Sequence, residues 1–257
     1  MIGQVRDRFK AKADAVLLTI DTRLDRILAA WLAIAGSIAA LRLFATPHHL
    51  PTANLENVAS YVLLVAAPVV STLLALRWFR HGHEQVQPVT RLARAGRWTR
   101  LDRSEAESHH LYGTSGIMVS LLVGMMINVP LRAAEYLAAI PPLPATVPDW
   151  LSALHFAMTL DAVLFSSLYM VAFVAALRRV PLFPRLLVAI WFADLAMQLF
   201  TAKFVVTAGG LPEAVSISLQ GLLEANMKKT LISMALWLPY LILSTRVNVT
   251  YRHRIPA

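Results

Sequence analysis

The chain has 257 residues, of which 57% are hydrophobic and 15% charged, and its mean hydropathy is +0.58. This composition excludes an ordinary water-soluble domain and is typical of a protein that lies in lipid. The chain has no cysteine, which excludes disulfide bonds, thiolate catalysis and iron–sulfur clusters, and its formal net charge is +9.

The N-terminal segment, residues 1–26, does not have the pattern of a cleaved signal peptide. Four basic residues precede its apolar stretch, and charged residues then interrupt that stretch at positions 21, 23, 25 and 26. A signal peptide needs an uninterrupted apolar core after its basic start. We therefore expect this segment to be retained.

Six apolar runs follow, each close to the roughly 20 residues that a helix needs to cross a bilayer. They cover residues 27–44, 58–79, 112–131, 151–177, 186–206 and 230–245. The sixth run is short, so we expect it to continue a helix that begins earlier. The predicted fold class is therefore all-α: a polytopic membrane bundle of about six transmembrane helices.

Basic residues divide the connecting segments into two groups. The N-terminal segment, the 80–111 loop, the 178–185 loop and the C-terminal tail each hold at least three Lys or Arg residues, whereas segments 45–57 and 133–150 hold none. Because basic loops stay in the cytoplasm, we expect both termini there. The expected partner of these cations is the anionic lipid headgroup and not nucleic acid.

Two segments have the pattern of helices that lie on the membrane surface. In the 80–111 loop, arginines at 91, 94, 97 and 100 alternate with Leu92, Trp98 and Leu101. In 213–229, polar residues recur at every fourth position and form one stripe, with apolar residues on the other faces. We expect this second segment to lie at the outer surface before the chain turns into the last span.

The C-terminal run from Trp237 to Tyr251 reads W-L-P-Y-L-I-L-S-T-R-V-N-V-T-Y. It resembles the pattern W-x-P-Y-x-x-x-S-x-R-V-x-x-T-[FY], which closes a family of small bacterial inner-membrane proteins of unknown function that includes YdgK. Two further segments agree with that family: the Y-G-T-S-G run at 112–116 before the third span, which is expected to end at Pro130, and the L-F-P-R run at 182–185 after a basic pair.

This resemblance covers about residues 112–251. It implies a four-span unit at 112–257 and an added part at 1–111, made of the basic segment, a two-helix hairpin and the Arg-rich loop. The family has no established activity, so the resemblance implies architecture and not a reaction.

The tail motif also has a physical interpretation. Pro239 inside an apolar helix leaves a carbonyl free and is expected to bend the span. Trp237 and Tyr240 flank it, Ser244 can hydrogen-bond the backbone, and Arg246 is expected at the cytoplasmic headgroups. We expect a structural kink and anchor, with a moving hinge as the alternative.

Two aspartates lie deep in the predicted spans. Asp161 is ten residues from the outer end of the fourth span and Asp194 about eleven from that of the fifth, so both are roughly 15 Å deep. Such residues are candidates for function, here a proton- or cation-binding pair, with Gln198 and Thr201 on the same face as Asp194. The alternative is that each aspartate holds the bundle together, by bonding a neighbouring helix or pairing with Arg42 or Arg132.

Two more side chains are candidates for binding. Arg132 is expected to pair with Glu135 at the outer end of the third span, or else to bind a substrate anion. His155 is expected to pack between helices, or else to take part in an outer proton path. At 100° per residue it points about 120° away from Asp161, so the two are expected to meet different neighbours.

No catalytic residue, metal site or cofactor is predicted. Histidines outside the spans occur as His48-His49, His81 with His83, and His109-His110, on opposite sides of the membrane and without the H-E-x-x-H spacing. We therefore expect a non-enzymatic protein that is an assembly or partner-binding subunit, with a membrane-protein partner or a second copy. The alternative is a proton-coupled carrier or channel component that uses Asp161 and Asp194.

Overall fold

The computed structural model describes residues 2–45, 55–88, 96–144 and 146–257, with side chains from residue 11 onward. The helices are α1 (Ile2–Phe44), α2 (Leu55–Trp78), α3 (Arg103–Ser108), α4 (Ile117–Ala139), α5 (Asp149–Leu177), α6 (Phe183–Thr207), α7 (Glu213–Leu243) and α8 (Thr245–Arg252). A single 3₁₀ turn covers Gly82–Glu84, and two short strands, β1 (Trp98–Arg100) and β2 (Arg254–Pro256), form one antiparallel pair.

Among the described residues, five helices are long and apolar enough to cross a membrane: α1, α2, α4, α5 and α6. A sixth span is present if α7 and α8 count together, since they pass the same test as a pair bent by 69°. The predicted all-α bundle is therefore confirmed, with five to six apolar helices of membrane-crossing length.

Helix α5 lies at the centre of the bundle. It packs against α2, α4 and α6, while α7 lies against α6 and α1 against α2. Near its end Ala172, Ala175 and Ala176 are fully buried, which suits close approach of neighbouring helices because small side chains let backbones come together. Side chains on the buried faces of α5 therefore lie between α5 and its neighbours α2, α4 and α6.

Helix α1 is longer than its predicted span, because it begins at Ile2 and not near residue 27. At 1.5 Å per residue it is roughly 65 Å long, about twice the 30 Å or so of bilayer hydrocarbon. Its backbone leaves helical values at Arg23 (φ −121°, ψ 17°). The basic N-terminal segment is thus a helical extension of the first span, and Ile20 and Leu24 are buried against the bundle.

Helix α4 differs from the prediction at both ends. It begins at Ile117, after Gly116 (φ +71°), and continues through Pro130 to Ala139. A proline removes one backbone donor, and a buried helix in a bundle tolerates that loss. Treating Pro130 as the end of the span was wrong, and Arg132 and Glu135 lie inside the helix.

Helix α7 runs without a break from Glu213 to Leu243. The expectation of a separate surface helix at 213–229 that turns into the last span is therefore wrong. Its polar stripe instead bonds along the helix, because Gln220 and Lys228 both donate to Glu224 at 3.3 and 3.4 Å.

The 80–111 loop also differs from the expected surface helix. Residues 98–100 form β1, which pairs with β2 so that Thr99 lies opposite Ile255, and Arg97 and Arg100 are exposed. A strand forms only against a partner strand, and the partner of β1 is β2 at the C-terminal end of the chain. No local sequence pattern reveals a pairing between such distant segments. Arg91, Leu92 and Arg94 lie outside the described residues, as do His48 and His49.

The tail bends later than Pro239. The helix continues through this residue, and the 69° bend lies at Ser244, which ends α7 and precedes α8. Trp237 and Tyr240 do flank the proline, with ring centres 5.8 Å apart. The 69° bend falls where Ser244 leaves helical backbone values altogether (ψ 125°). A smaller bend at Pro239, inside the continuous helix, stays a prediction.

Helices α2, α5 and α7 end, and α4 and α6 begin, at one end of the bundle, which we call the basic end. The 3₁₀ turn packs there so closely that a Cβ added to Gly82 would lie 2.6 Å from Val180 and 2.8 Å from the Arg178 carbonyl oxygen. With α2 against α5 and β1 paired to β2, residues 1–111 pack directly on the 112–257 unit. The proposed boundary between these two parts stays a prediction.

Candidate functional site

Three charged side chains meet between α4, α5 and α6. Arg132 comes from the middle of α4, Asp161 from α5 and Asp194 from α6, and all three are buried, with exposed fractions of 8, 6 and 1%. One turn earlier on α4, Asn128 accepts a hydrogen bond from Arg132 Nε at 3.0 Å. This contact holds the guanidinium with its two remaining nitrogens toward α5 and α6.

Each of those nitrogens binds a different aspartate. Nη1 of Arg132 donates to Asp161 Oδ2 at 2.6 Å, and Nη2 donates to Asp194 Oδ2. Phe165 and Tyr169 of α5 cover the face of the guanidinium, at 4.9 and 5.9 Å from their ring centres. One arginine therefore joins three helices through charge-assisted hydrogen bonds.

Neutral donors complete the shell of the two carboxylates. Gln198 Nε2 lies 3.1 Å from Asp161 Oδ1 and 3.4 Å from Asp194 Oδ1, so its amide bridges the two helices. Tyr169 donates its hydroxyl to Asp194 Oδ2 at 3.1 Å, and Thr230 of α7 donates to the same oxygen at 3.4 Å. We call Arg132, Asp161, Asp194, Gln198 and Tyr169 the arginine network.

The charges of the arginine network do not cancel when every group is ionised. Two carboxylates then face one guanidinium, and the sum is −1. An uncompensated charge away from water is expensive, and a buried group commonly avoids the cost by binding or releasing a proton. Arginine stays protonated in proteins, so a proton that balances this network resides on a carboxylate.

The expectation that Asp161 and Asp194 share one level of the bundle agrees with this geometry, since one guanidinium and one amide contact both. Of the two partners considered, Arg132 is the one they bind. The expected pair of Arg132 with Glu135 is wrong. Glu135 instead pairs with Lys229 of α7, because the two residues of α4 point to different neighbours.

His155 belongs to a separate cluster, as its angle to Asp161 indicates. Tyr136 of α4 bonds both His155 Nε2, at 3.3 Å, and Thr159 Oγ1, at 2.9 Å. Tyr61 of α2 packs edge-on against Tyr136, with ring centres 6.2 Å apart. The cluster thus joins α2, α4 and α5.

A groove of about 760 Å³ lies beside this cluster, at the end of the bundle opposite the basic end. Its polar lining comes from the N-terminal parts of α2 and α5, and its apolar walls include two aromatic rings. The lining residues central to its chemistry are Glu56, Asp149, His155, Thr159, Phe156 and Phe204.

Tyr136 connects the groove to the arginine network. It lies four residues after Arg132, one turn along the same face of α4, and its hydroxyl contacts two residues that line the groove. A single helix face therefore carries polar groups from the groove to the buried ion pair.

Sequence reasoning missed Tyr169 and Tyr136, although the spacing held a signal. Asp161, Phe165 and Tyr169 recur at every fourth residue of α5, which places them on one face. Tyr136 lies four residues after Arg132 and so shares a face of α4 with it. A tyrosine four or eight residues after a charged residue inside a span was the pattern to follow.

The three segments that carry the family resemblance meet at the basic end. Arg246 Nη1 donates to the Leu111 carbonyl at 3.1 Å and to Ser115 Oγ at 2.7 Å. The Thr250 hydroxyl bonds both backbone groups of Gly113. Arg246 therefore anchors the tail to the protein itself, and its expected place at the headgroups stays a prediction.

The third segment joins through Tyr251. Its hydroxyl donates to the Ala176 carbonyl at 2.9 Å, and its ring centre lies 5.1 Å from that of Phe183. Nearby, burial raises the pKa of Tyr112, and Arg179, whose guanidinium lies 5.2 Å from the ring centre, opposes that shift. These contacts bring residues of all three segments together at the basic end.

Comparison with known proteins gives no match: no protein-family model, curated protein or solved structure matches this chain. The resemblance of residues 112–251 to the YdgK-like family therefore rests on the motif residues and stays a prediction.

Proposed function

We propose that this multi-pass protein is a non-enzymatic, proton-coupled carrier of a small solute, and that its arginine network holds the coupling proton. The observation that carries the proposal is the charge balance around Arg132, which faces both Asp161 and Asp194 in a site closed to water. A net charge is costly at bilayer depth. One proton shared by the two carboxylates brings the network to zero.

The shared guanidinium couples that proton to movement. When Arg132 withdraws from one aspartate, that carboxylate loses its counter-charge, and a bound proton leaves it neutral. When the guanidinium returns, its positive charge replaces the proton, which is released. Gln198 touches both carboxylates and can follow either arrangement.

The solute site in this proposal is the groove beside Tyr136. Its volume of about 760 Å³ falls within the range of roughly 300–1,000 Å³ that small-molecule sites occupy. Asp149 near its mouth and the rings of Phe156 and Phe204 suit a small amphiphilic cation, because carboxylates and aromatic faces both attract cations.

In this proposal the basic end faces the cytoplasm of a bacterial inner membrane, as the positive-inside rule indicates. The groove then opens toward the outside, and both termini are cytoplasmic. The resemblance to the YdgK-like family is part of the same proposal and adds no substrate.

Proteoliposomes test the proposal. Vesicles with an acidic lumen and an enclosed pH indicator receive tetraphenylphosphonium outside, and protein-free vesicles report the passive response. We expect the wild type to release luminal protons faster than protein-free vesicles, and Asp161→Asn and Asp194→Asn to lose that excess. Asparagine keeps the size of aspartate and leaves one carboxylate for Arg132, so both variants should fold.

Glu213→Gln is the matched control, because it removes an exposed carboxylate at the start of α7. It should keep the wild-type response. A wild type that behaves like protein-free vesicles, or aspartate variants that behave like the wild type, would contradict the carrier.

An assembly subunit is the second candidate, and α1 favours it. Only 11% of the most apolar stretch of α1 is buried, against 39–61% in the other four long apolar helices. Its exposed Ile34 and Leu41 offer a face to the transmembrane helix of another protein. A photo-crosslinking residue at Ile34 should give one protein adduct of defined mass in membranes, whereas Leu199 on α6 should label lipid only. Identical labelling at both positions would contradict it.

A further inference from the structure

A second group of arginines lies at the basic end, near the bend between α7 and α8. Arg252 ends α8, Arg254 begins β2, and Arg185 lies in the first turn of α6. Arg185 and Arg254 are close enough to Arg252 to act on its charge. Three positive charges therefore converge where the tail meets the α5–α6 turn.

The hydrogen bonds of Arg252 go to neutral groups. Its Nη1 donates to Asn248 Oδ1 at 2.8 Å and to the Ile242 carbonyl at 3.4 Å. Arg254 Nε donates to the same Asn248 oxygen at 2.7 Å, and its guanidinium lies 4.7 Å from the ring centre of Trp98. These contacts fix the position of the two guanidinium groups, and the acceptors of Arg252 are neutral oxygens that leave its charge in place.

Two donors in this group are buried and have no acceptor within the described residues: Arg252 Nη2 and Arg185 Nε. Neither arginine forms an ion pair with a carboxylate in that part of the chain. Burying a hydrogen-bond donor without a partner costs free energy, and the cost is larger for a charged donor than for a neutral one. Both arginines nevertheless leave such a donor unsatisfied, and they are close enough for the charge of Arg185 to act on Arg252.

We propose that Arg185 and Arg252, with Arg254 beside them, bind a phosphate-bearing anion at the basic end. A phosphate offers several acceptor oxygens to converging guanidinium groups, which is the geometry that arginine recognises best. The two unsatisfied donors belong to separate helices, α6 and α8, so one bound anion bridges them. The phosphate comes either from an anionic lipid headgroup or from a free phosphate ion.

Two measurements on the purified protein in mild detergent distinguish these sources. Native mass spectrometry follows the retention of phosphatidylglycerol against phosphatidylcholine, and thermal unfolding follows the response to inorganic phosphate. For a lipid site we expect one phosphatidylglycerol per chain and no effect of phosphate. For a free-anion site we expect phosphate to raise the unfolding temperature while neither lipid is retained.

Arg252→Gln and Arg185→Gln should weaken the observed binding by about tenfold each, since each removes one charge-assisted contact. Arg185→Gln leaves the bonds of Arg252 to Asn248 and Ile242 in place, so it reports on binding even if Arg252→Gln perturbs folding. Arg100→Gln, an exposed residue of β1, removes the same charge nearby and should bind like the wild type. If neither ligand binds the wild type more tightly than both cluster variants, the proposal is wrong.

Discussion

Two groups of arginine in the described part of this protein differ in what balances their charge. Arg132 is buried and meets two carboxylates between the helices, and every polar group around it has a partner. At the basic end, Arg185 and Arg252 are partly buried and meet carbonyl and amide oxygens, and each keeps one buried donor unsatisfied. With every group ionised, the first place has one negative charge too many, and the second has an excess of positive charge.

The contrast explains why we assign the two places different ligands. A site with surplus negative charge that is closed to bulky groups takes the smallest cation, a proton. A site with surplus positive charge at a helix end takes an anion from outside the chain. The following predictions test whether charge balance decides the behaviour of each place.

The largest effect should come from removing both partners of Arg132. Asp161→Asn with Asp194→Asn leaves a buried guanidinium that cannot lose its proton, which should cost about 3–5 kcal/mol of unfolding free energy. Each single variant should cost much less. Arg132→Gln should also cost less, because the two carboxylates left behind can bind protons. Thermal unfolding in detergent measures the order, and a double variant no weaker than Arg132→Gln would refute the argument.

Gly82→Ala should be the next largest effect. Its added Cβ would lie 2.6 Å from Val180 and 2.8 Å from the Arg178 backbone, and such overpacking costs about 1–3 kcal/mol. The strain falls at the basic end and should leave the arginine network intact. Gly124→Ala in α4, where a Cβ meets nothing within 4 Å, is the control and should not lower the unfolding temperature.

Tyr136→Phe should have a smaller effect on stability, about 1 kcal/mol, from the lost hydrogen bonds to His155 and Thr159. We expect it to slow proton release in the vesicle assay while the charge balance around Arg132 stays as it is. Tyr169→Phe should instead change the charge balance around Arg132, because its hydroxyl contacts Asp194 directly. If the two variants behave alike in both thermal unfolding and the vesicle assay, Tyr136 does not connect the groove to the arginine network.

The smallest effect is a pH dependence at the basic end. Burial lowers the pKa of His253, and the charge of Arg103 lowers it further. The negative charges of Glu107 and Asp102 act in the opposite direction. Stability from the neutral ring is therefore present above the unfolded value of about 6.5 and is lost as pH falls toward the folded value. Between pH 7 and pH 5 the unfolding temperature of the wild type should fall further than that of His253→Asn. Asparagine is chosen because it tolerates the left-handed backbone at this position (φ 47°). Equal losses would contradict this.

The sequence allowed the shared level of the two aspartates to be predicted, because a helix advances by a fixed rise per residue. It did not allow their pairing with Arg132 to be chosen over the alternatives. That choice depended on whether α4 ends at Pro130, and a proline ends a helix in water more reliably than in a packed membrane bundle.

The basic end was harder to predict, since its contacts join residues far apart in the chain. β1 forms only against β2, and Arg246 reaches a carbonyl 135 residues away. The family resemblance drew attention to the 112–116, 182–185 and 237–251 segments. Their shared contact required the three-dimensional packing of α4, α6 and α8.

The state of the two aspartates tests the central claim most directly. Infrared spectroscopy of the purified protein at pH 7 detects the C=O stretch of a protonated carboxyl group, which exposed carboxylates do not show. We predict this band in the wild type and its loss in Asp161→Asn and in Asp194→Asn, since the remaining carboxylate then pairs with Arg132. A wild-type spectrum with carboxylate bands alone would show that the network holds no proton and would contradict the account.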